Sequence, residues 1–174
     1  MKLNLKPIYK TFDKINDRLD NEKEYKIVVN CHKNHCLKKG FLKKAADNPK
    51  KIFKKYCKKN DLEVDWDQIK KKSKQAEVVI QDLKKRYKRP RPKKFKKGDL
   101  DHVQNMVTDS FPSGHTCSAR FVAELLSRLH PSHSSEFLML SDLIGQSRIE
   151  NGVHYPSDVL WGKYLGELLI NKIN

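Results

Sequence analysis

The apolar residues of this chain recur three or four positions apart over most of its length, which is the spacing of the buried face of an α-helix. This spacing is found at Ile8, Phe12, Ile15 and Leu19, at Ile69, Ala76, Val79, Ile80, Leu83 and Tyr87, at Ala119, Val122, Leu125, Leu126 and Leu129, at Phe137, Leu138, Leu140, Leu143 and Ile144, and at Val159, Leu160, Tyr164, Leu165, Leu168 and Leu169. No segment shows the strict alternation of a half-buried strand, and no internal repeat is present. The pattern predicts an all-α fold, built as a compact helical bundle.

Residues that break or cap helices indicate where the elements begin and end. Asp20 or Asn21 is placed to close the first helix. Gly40 and Asn48–Pro49 are expected to divide the lysine-rich residues 22–58 into two or three helices.

The remaining boundaries follow from the same rules. Asp65 or Asp67 is placed to cap a long helix, which Pro90 and Pro92 end. Residues 93–111 have few periodic apolar positions and are predicted to form a loop. Three more helices are expected, from Ser113 to about Leu129, from Pro131, and from near Pro156.

The charge of the chain is distributed unevenly. Of 174 residues, 37 are Lys or Arg and 21 are Asp or Glu, and residues 101–174 hold only five of the former against eight of the latter. A basic first half suits an anionic partner such as nucleic acid, a membrane surface or a phosphorylated molecule. Nucleic acid is disfavoured, because aromatic residues that stack on bases are sparse among the lysines. The cluster Lys93–Lys97 is a candidate for peripheral contact with an anionic membrane surface.

Length and composition favour one domain, with residues 1–65 forming a basic helical region packed on or appended to a helical core of residues 66–174. No apolar run reaches the ~18–20 residues of a membrane-spanning helix, and the first residues do not resemble a signal peptide. We therefore expect a soluble, cytoplasmic protein that is at most peripheral to a membrane. The four cysteines are too few and too unevenly spaced for a disulfide framework.

Three short motifs carry the chemistry. In chain order they are Lys84-x6-Arg91-Pro92, Pro112-Ser113-Gly114-His115, and Ser147-Arg148-x5-His154-x3-Asp158. The first and third supply three cations, the second opens a helix whose N-terminus favours anions, and both of the later motifs supply a histidine. Asp158 follows His154 by four residues and can accept its ring N–H. Together these groups suffice to bind and cleave a phosphate ester without a metal.

In this order the motifs resemble the three-part signature of the type-2 phosphatidic acid phosphatase superfamily, which includes bacterial non-specific acid phosphatases and vanadium haloperoxidases. Every fixed position is matched, and the flanking residues 111–116 and 152–160 are also similar to the family. The resemblance spans about residues 80–170 and does not reach residues 1–65. It implies a helical bundle of the acid phosphatase/vanadium haloperoxidase type and an acid-phosphatase-like hydrolase of phosphomonoesters or diphosphates.

The resemblance also implies a role for each motif residue. His154 is the nucleophile that forms a phosphohistidine, and Asp158 orients it. The residues alone leave open which histidine attacks, although the spacing to Asp158 supports His154. His115 is the general acid and then the base that activates water. The remaining motif residues hold the phosphoryl oxygens, namely Lys84, Arg91, Arg148, the Ser113 hydroxyl and the Gly114 N–H.

This interpretation implies no metal and no cofactor, and vanadate is expected to inhibit as a phosphate mimic. Cys31-His32-x2-His35-Cys36 does not match a strong zinc pattern and is expected to consist of ordinary helix residues. Neutral His154 and protonated His115 together predict a bell-shaped pH profile with an acidic optimum.

Four questions stay open in the sequence. A phosphotransferase would use the same residues with an alcohol as acceptor, whereas haloperoxidases of the superfamily are typically much longer. A basic protein that binds nucleic acid or an anionic membrane and carries a vestigial site is the alternative of another class. The leaving group (lipid, nucleotide or small molecule) and a homodimeric state are not determined by any residue.

Overall fold

The structure, a computed structural model, describes residues 5–16 and 18–173, and within these ranges the regular elements are all helical. The elements are α1 (Lys6–Asn16), α2 (Asn21–Lys33), α3 (Lys39–Asp47), α4 (Lys50–Lys59), α5 (Trp66–Tyr87), α6 (Pro92–Phe95), α7 (Gly114–Leu129), a 3-10 turn (Pro131–His133), α8 (Ser134–Glu150) and α9 (Pro156–Leu169). The predicted all-α fold is confirmed.

Helix α7 is the centre of the bundle and packs against α5, α8 and α9. Its contact with α9 is unusually close, because Gly162 and Gly166 lie one turn apart on the face of α9 that meets α7. A Cβ at Gly162 would lie 2.6 Å from the Ser113 carbonyl oxygen, and one at Gly166 would lie 2.8 Å from the Cys117 carbonyl oxygen. Only glycine allows the two backbones to approach this closely.

The apolar core has three parts. The first lies between α1, α5, α7 and α9 and includes Phe12, Leu83, Phe111, Phe121 and Leu165. The second lies between α4, α5, α7 and α8 and includes Phe53, Ile69, Val122, Leu126, Phe137 and Ile144. The third lies under α2 and includes Tyr25, Val28, Leu100 and Tyr155.

The N-terminal helices lie against the same bundle. Helix α2 packs on α6, α8 and α9, helix α3 packs on α8, and helix α4 packs on α7 and α8. Val28 of α2 and Phe53 of α4 are fully buried in these contacts. Most of the lysines lie on the exposed sides of these helices.

Several predicted boundaries were wrong in detail. Helix α1 as described ends at Asn16, so Leu19 lies outside it, and Asp20 begins a new helix by accepting a hydrogen bond from the Lys23 N–H. In the lysine-rich region the predicted break at Asn48–Pro49 is confirmed and separates α3 from α4. The other break falls at residues 34–38 rather than at Gly40, which lies in the first turn of α3. Part of the predicted loop 93–111 is helical, because Pro92 is pre-shaped for a first helical position and begins the short α6.

None of the helices in the described ranges combines the length and apolar character that crossing a bilayer requires. The same ranges contain no cluster of three or more His, Cys, Asp or Glu side chains placed to hold a metal ion. In the segment Cys31–Cys36, His32 Nδ1 donates to the Glu150 carbonyl oxygen at 2.7 Å, and its Nε2 lies 2.8 Å from Nε2 of His102.

Candidate active site

The histidine of the third motif lies at the junction of α8 and α9. The chain leaves α8 at Glu150, turns at Gly152 with a φ of 70°, and enters α9 at Pro156. His154 is buried, with Nδ1 3.2 Å from Asp158 Oδ2 and Nε2 2.7 Å from Arg91 Nη1. A guanidinium only donates, so Nε2 must accept and Nδ1 must carry the proton that Asp158 accepts. The lone pair of Nε2 is therefore the available nucleophile.

Three cations surround this histidine. Lys84 comes from the last turn of α5 and donates to the carbonyl oxygens of Asp109 and Ser110. Burial, with a further contribution from Arg91, lowers the pKa of Lys84 to about 7. Burial likewise lowers the pKa of Arg91 to about 10, and burial together with the charge of Arg91 lowers the pKa of Arg148 to about 10. Like charges held this close favour an anion between them.

Arg148 is the cation with the most unused hydrogen-bonding capacity. Its Nε and Nη1 atoms are buried and have no hydrogen-bond partner among the described residues. Arg148 lies in the last turn of α8, and the residue is only 2% exposed. A buried donor without a partner is costly, so each one in a native protein needs an explanation, and a catalytic role or a bound ion is one. An anion with several oxygens would satisfy both nitrogens.

The second motif forms the N-terminus of α7. Ser113 is the N-cap, its hydroxyl accepting from the Thr116 hydroxyl at 2.8 Å, and its backbone N–H donates to the Asp158 carbonyl oxygen at 2.9 Å. Gly114 lies against α5, where a Cβ would come within 3.3 Å of Ile80. The motif therefore joins the N-terminus of α7 to both α5 and α9, and the helix dipole favours an anion beside it.

His115 occupies the first turn of α7. Its Nε2–H donates to the carbonyl oxygen of Ala46, at 3.2 Å, in the final turn of α3. Burial, followed by the charge of Arg148, lowers the pKa of His115 to about 4. Burial and the charges of Arg91 and Lys84 hold the pKa of His154 well below its ordinary value. Both histidines are therefore neutral near neutral pH in the empty site.

Five of the eight predicted residues line one cavity of about 380 Å³, namely Lys84, Arg91, Gly114, His115 and His154. Arg148 lines a neighbouring cavity of about 350 Å³, and the two cavities share Asp47 and Met106. Ser113 and Asp158 are fully buried and support the cavity from behind. The structure thus brings all eight predicted residues to one place.

Sequence reasoning missed several residues that contact the predicted ones. Arg89 donates to Asp158 Oδ1 at 2.8 Å and to Glu24 of α2 at 3.0 Å. The Ser110 hydroxyl donates to Asp158 Oδ2, and the Thr108 carbonyl oxygen accepts from Arg91. The repeated dipeptide Arg89-Pro90-Arg91-Pro92 was a signal for Arg89, but the surrounding lysines obscured it.

Comparison with known proteins places the chain in a family. The sequence pattern of the PAP2 superfamily matches residues 75–173, more than half of the chain and all eight predicted site residues. The chain belongs to the PAP2 superfamily. The predicted family is therefore confirmed.

Curated relatives are similar to a part of the chain. The bacitracin transport permease protein BcrC of Bacillus licheniformis is 38% identical over 66 residues, covering 38% of this chain and 32% of that protein. The non-specific acid phosphatase of Salmonella typhi is 40% identical over 57 residues, covering 33% and 23%. The lipid A 1-phosphatase of Rhizobium etli is 34% identical over 58 residues, covering 33% and 25%. Each alignment thus covers a third or less of the relative's own length.

A solved PAP2 structure matches the fold over nearly the whole chain. It is the crystal structure of the first transmembrane PAP2 type phosphatidylglycerolphosphate phosphatase from Bacillus subtilis, with a TM-score of 0.61 and 21% identity, covering 97% of this chain and 94% of that one. The likeness therefore includes the N-terminal helices. Because these neighbours include a permease and a transmembrane enzyme, the comparisons do not support the predicted soluble state or cytoplasmic location.

Proposed function

We propose that the chain is a phosphatase that hydrolyses phosphomonoesters or diphosphates through a phosphohistidine on His154. The observation that carries the proposal is the buried group of three cations around one histidine, in which two nitrogens of Arg148 have no partner among the described residues. A phosphoryl group has the charge to offset these cations and the oxygens to bind them.

In the first step His154 Nε2 attacks the phosphorus. The substrate oxygens take over the hydrogen bond that Arg91 makes to Nε2 in the empty site, which frees the lone pair. The Nε2–P bond forms as the ester P–O bond breaks. His115, which takes up a proton when the substrate anion binds, transfers that proton to the leaving oxygen and becomes neutral. Asp158 stabilises the positive charge that develops on the His154 ring.

In the second step water hydrolyses the phosphohistidine. Neutral His115 accepts a proton from the water as the water oxygen attacks phosphorus, and the N–P bond breaks to regenerate His154. Lys84, Arg91 and Arg148 offset the charge of the transferring phosphoryl group in both steps. Since these residues supply the charge, the proposal needs no metal.

The rest of the cavity wall would face the leaving group. Asp47, Asn48 and Lys50 come from the end of α3 and the start of α4, and Glu77 and Gln81 come from α5. These side chains are polar and of both signs, so they suit a hydrogen-bonding leaving group next to the phosphate. Small phosphorylated molecules and the head groups of phosphorylated lipids both meet that description.

The test uses p-nitrophenyl phosphate with the purified chain and its His154→Ala variant (H154A). We expect turnover that persists in EDTA, is inhibited by vanadate and falls at least about 1,000-fold in H154A. His130→Ala is the matched control, because His130 bonds the Glu63 carbonyl oxygen away from the site and its loss should leave turnover unchanged. Activity that survives in H154A, or that disappears in EDTA, would contradict the mechanism.

A further inference from the structure

Arg89 is a buried arginine that none of the three motifs includes. It is 4% exposed, and its guanidinium carbon lies 4.0 Å from the centroid of the Tyr155 ring. Its Nη1 donates to Asp158 Oδ1 at 2.8 Å and to the Ser157 hydroxyl at 2.6 Å. Its Nε donates to Asn21 at 2.8 Å, and its Nη2 donates to Glu24 at 3.0 Å.

These bonds leave Arg89 no free nitrogen for a substrate. All three of its guanidinium nitrogens bind other side chains, whereas Arg148 has two nitrogens without a partner in the described part of the chain. Arg148 is placed to bind an anion, and Arg89 is placed to bind the protein's own carboxylates. Asp158 is the predicted catalytic residue that Arg89 contacts, so we expect the effect of Arg89 on the reaction to pass through Asp158.

The two oxygens of Asp158 are held from different directions. Oδ2 accepts from His154 Nδ1 at 3.2 Å, from the Tyr155 backbone N–H at 2.9 Å and from the Ser110 hydroxyl. Oδ1 accepts from Arg89. Arg89 thus fixes the rotation of the carboxylate and keeps Oδ2 directed at the His154 ring.

The far side of Arg89 is fixed by α2. Glu24 bonds Arg89 through Oε1 and also accepts from the Ser157 backbone N–H at 2.8 Å and the Ser157 hydroxyl at 2.8 Å. Its side chain is therefore anchored to the first turn of α9, the helix that carries Asp158. Half-buried Glu24 and buried Arg89 and Asp158 therefore form a continuous series of ion pairs, which ends at His154.

We propose that Arg89 is a positioning residue for the reaction, holding Asp158 in the orientation that fixes the His154 tautomer, and that Glu24 of α2 holds Arg89 in turn. This inference rests on the proposed function, because it assumes that His154 is the nucleophile. It assigns to the N-terminal helices a part in the chemistry that the three motifs do not contain.

The first experiment compares Arg89→Gln (R89Q) and Arg89→Lys (R89K) with wild type on p-nitrophenyl phosphate. We expect kcat to fall by about 10–100-fold in R89Q, as for other groups that orient a catalytic side chain, with KM within about twofold. R89K keeps the charge without the planar fork, so its loss should be smaller, and it serves if R89Q does not fold. Unchanged kcat in a folded variant would overturn the proposal.

The matched control is Arg86→Gln. Arg86 lies three residues before Arg89 and is likewise paired with a carboxylate. It binds Asp13 through two nitrogens, at 3.0 and 2.9 Å, but that pair is exposed and away from the site. R86Q should leave kcat unchanged. An equal fall in kcat in R86Q and R89Q would show that the loss is structural and would overturn the proposal.

A double-mutant cycle with Asp158→Asn (D158N) tests whether Arg89 acts through Asp158. If it does, R89Q should lower kcat by less than about threefold in the D158N background. If the full loss persists in that background, Arg89 acts by another route and the proposal is wrong.

A readout without turnover separates this proposal from the phosphatase assignment. The His154 Nδ1–H should give a proton resonance in ¹⁵N-labelled protein, and R89Q should shift or broaden it while R86Q does not. If wild type hydrolyses no phosphate ester and R89Q still shifts the resonance, the proposed function fails and the positioning stands. If R89Q changes neither the resonance nor kcat, the positioning fails.

Discussion

The protonation of His115 should be linked to anion binding. Replacing this residue with glutamine (H115Q) removes the titrating group, so a comparison with wild type measures its contribution to the pH dependence of binding. In the empty site burial and the charges of Arg148, Arg91 and Lys84 lower the pKa of His115 to about 4, against 6.5 for an ordinary histidine. Bound sulfate would offset these three charges without changing the burial. An opposite charge at such distances shifts a pKa by about 1–3 units, so we expect the pKa of His115 to rise by about two units in the complex.

The size of this pKa shift determines how strongly the sulfate Kd depends on pH. Binding takes up a proton wherever the pKa of the complex exceeds that of the free protein, so the sulfate Kd should rise by nearly tenfold per pH unit above about pH 4. The total weakening is about 100-fold, or about 3 kcal/mol, and it is complete near pH 6. Sulfate stays a dianion over this pH range, so the change of its Kd with pH comes from protonation of the protein and not of the ligand.

Isothermal titration calorimetry at constant ionic strength measures the effect in wild type and in H115Q. The slope of log Kd against pH should be larger in wild type by nearly one between about pH 4.5 and 6. Buffers of different ionisation enthalpy should show that wild type takes up nearly one more proton than H115Q. Equal slopes in the two proteins would refute the assignment of this proton to His115.

Three further outcomes follow from the same geometry. The pKa of His115 is lower in the folded protein than in the unfolded chain, so the unfolded chain binds more protons between about pH 4 and 6.5. The free energy of unfolding, measured by urea denaturation, should therefore be about 3 kcal/mol lower at pH 4 than at pH 7. The difference should be smaller in H115Q. Replacing Arg148 with methionine should raise thermal stability by about 1–2 kcal/mol, since it removes a buried charge with unpartnered nitrogens. The same replacement should lower kcat/KM by at least about 100-fold. A variant that is both less stable and fully active would contradict the role of this charge. Gly162→Ala should cost about 1–3 kcal/mol in thermal unfolding and displace Ser113, whereas Gly40→Ala, with no atom within 4 Å, should be neutral or mildly stabilising.

The sequence allowed the helices and the family to be predicted because both depend on local pattern. The 3.6-residue spacing is strong in α5, α7 and α9, and these helices begin and end close to the predicted positions. Within the first sixty residues the break at Asn48–Pro49 was predictable from its proline, whereas the break at residues 34–38 was not, since lysine favours helix on both sides of it. The start of α2 is set by Asp20, whose side chain accepts a hydrogen bond from the Lys23 N–H.

The site was predictable where the residues belong to the contiguous motifs and not elsewhere. Glu24 lies 134 positions before Asp158 in the sequence, and its place beside Arg89 follows only from how α2 packs on α9. Arg89 was indistinguishable from its neighbours by charge, although it is buried and they are mostly exposed. Burial is a property of the packed bundle, so a linear pattern did not single out this arginine.

The hydrogen bond from His115 to Ala46 has a consequence for how variation in this chain should be interpreted. The acceptor is a main-chain oxygen, which every amino acid supplies, so exchanging the residue at position 46 leaves the contact chemically intact. An insertion or deletion within α3, ahead of Ala46, would instead rotate this carbonyl oxygen around the helix axis and away from the imidazole. In a library of variants the end of α3 should therefore tolerate many substitutions at position 46 but few insertions or deletions. A survey of substitutions alone would overlook this contact.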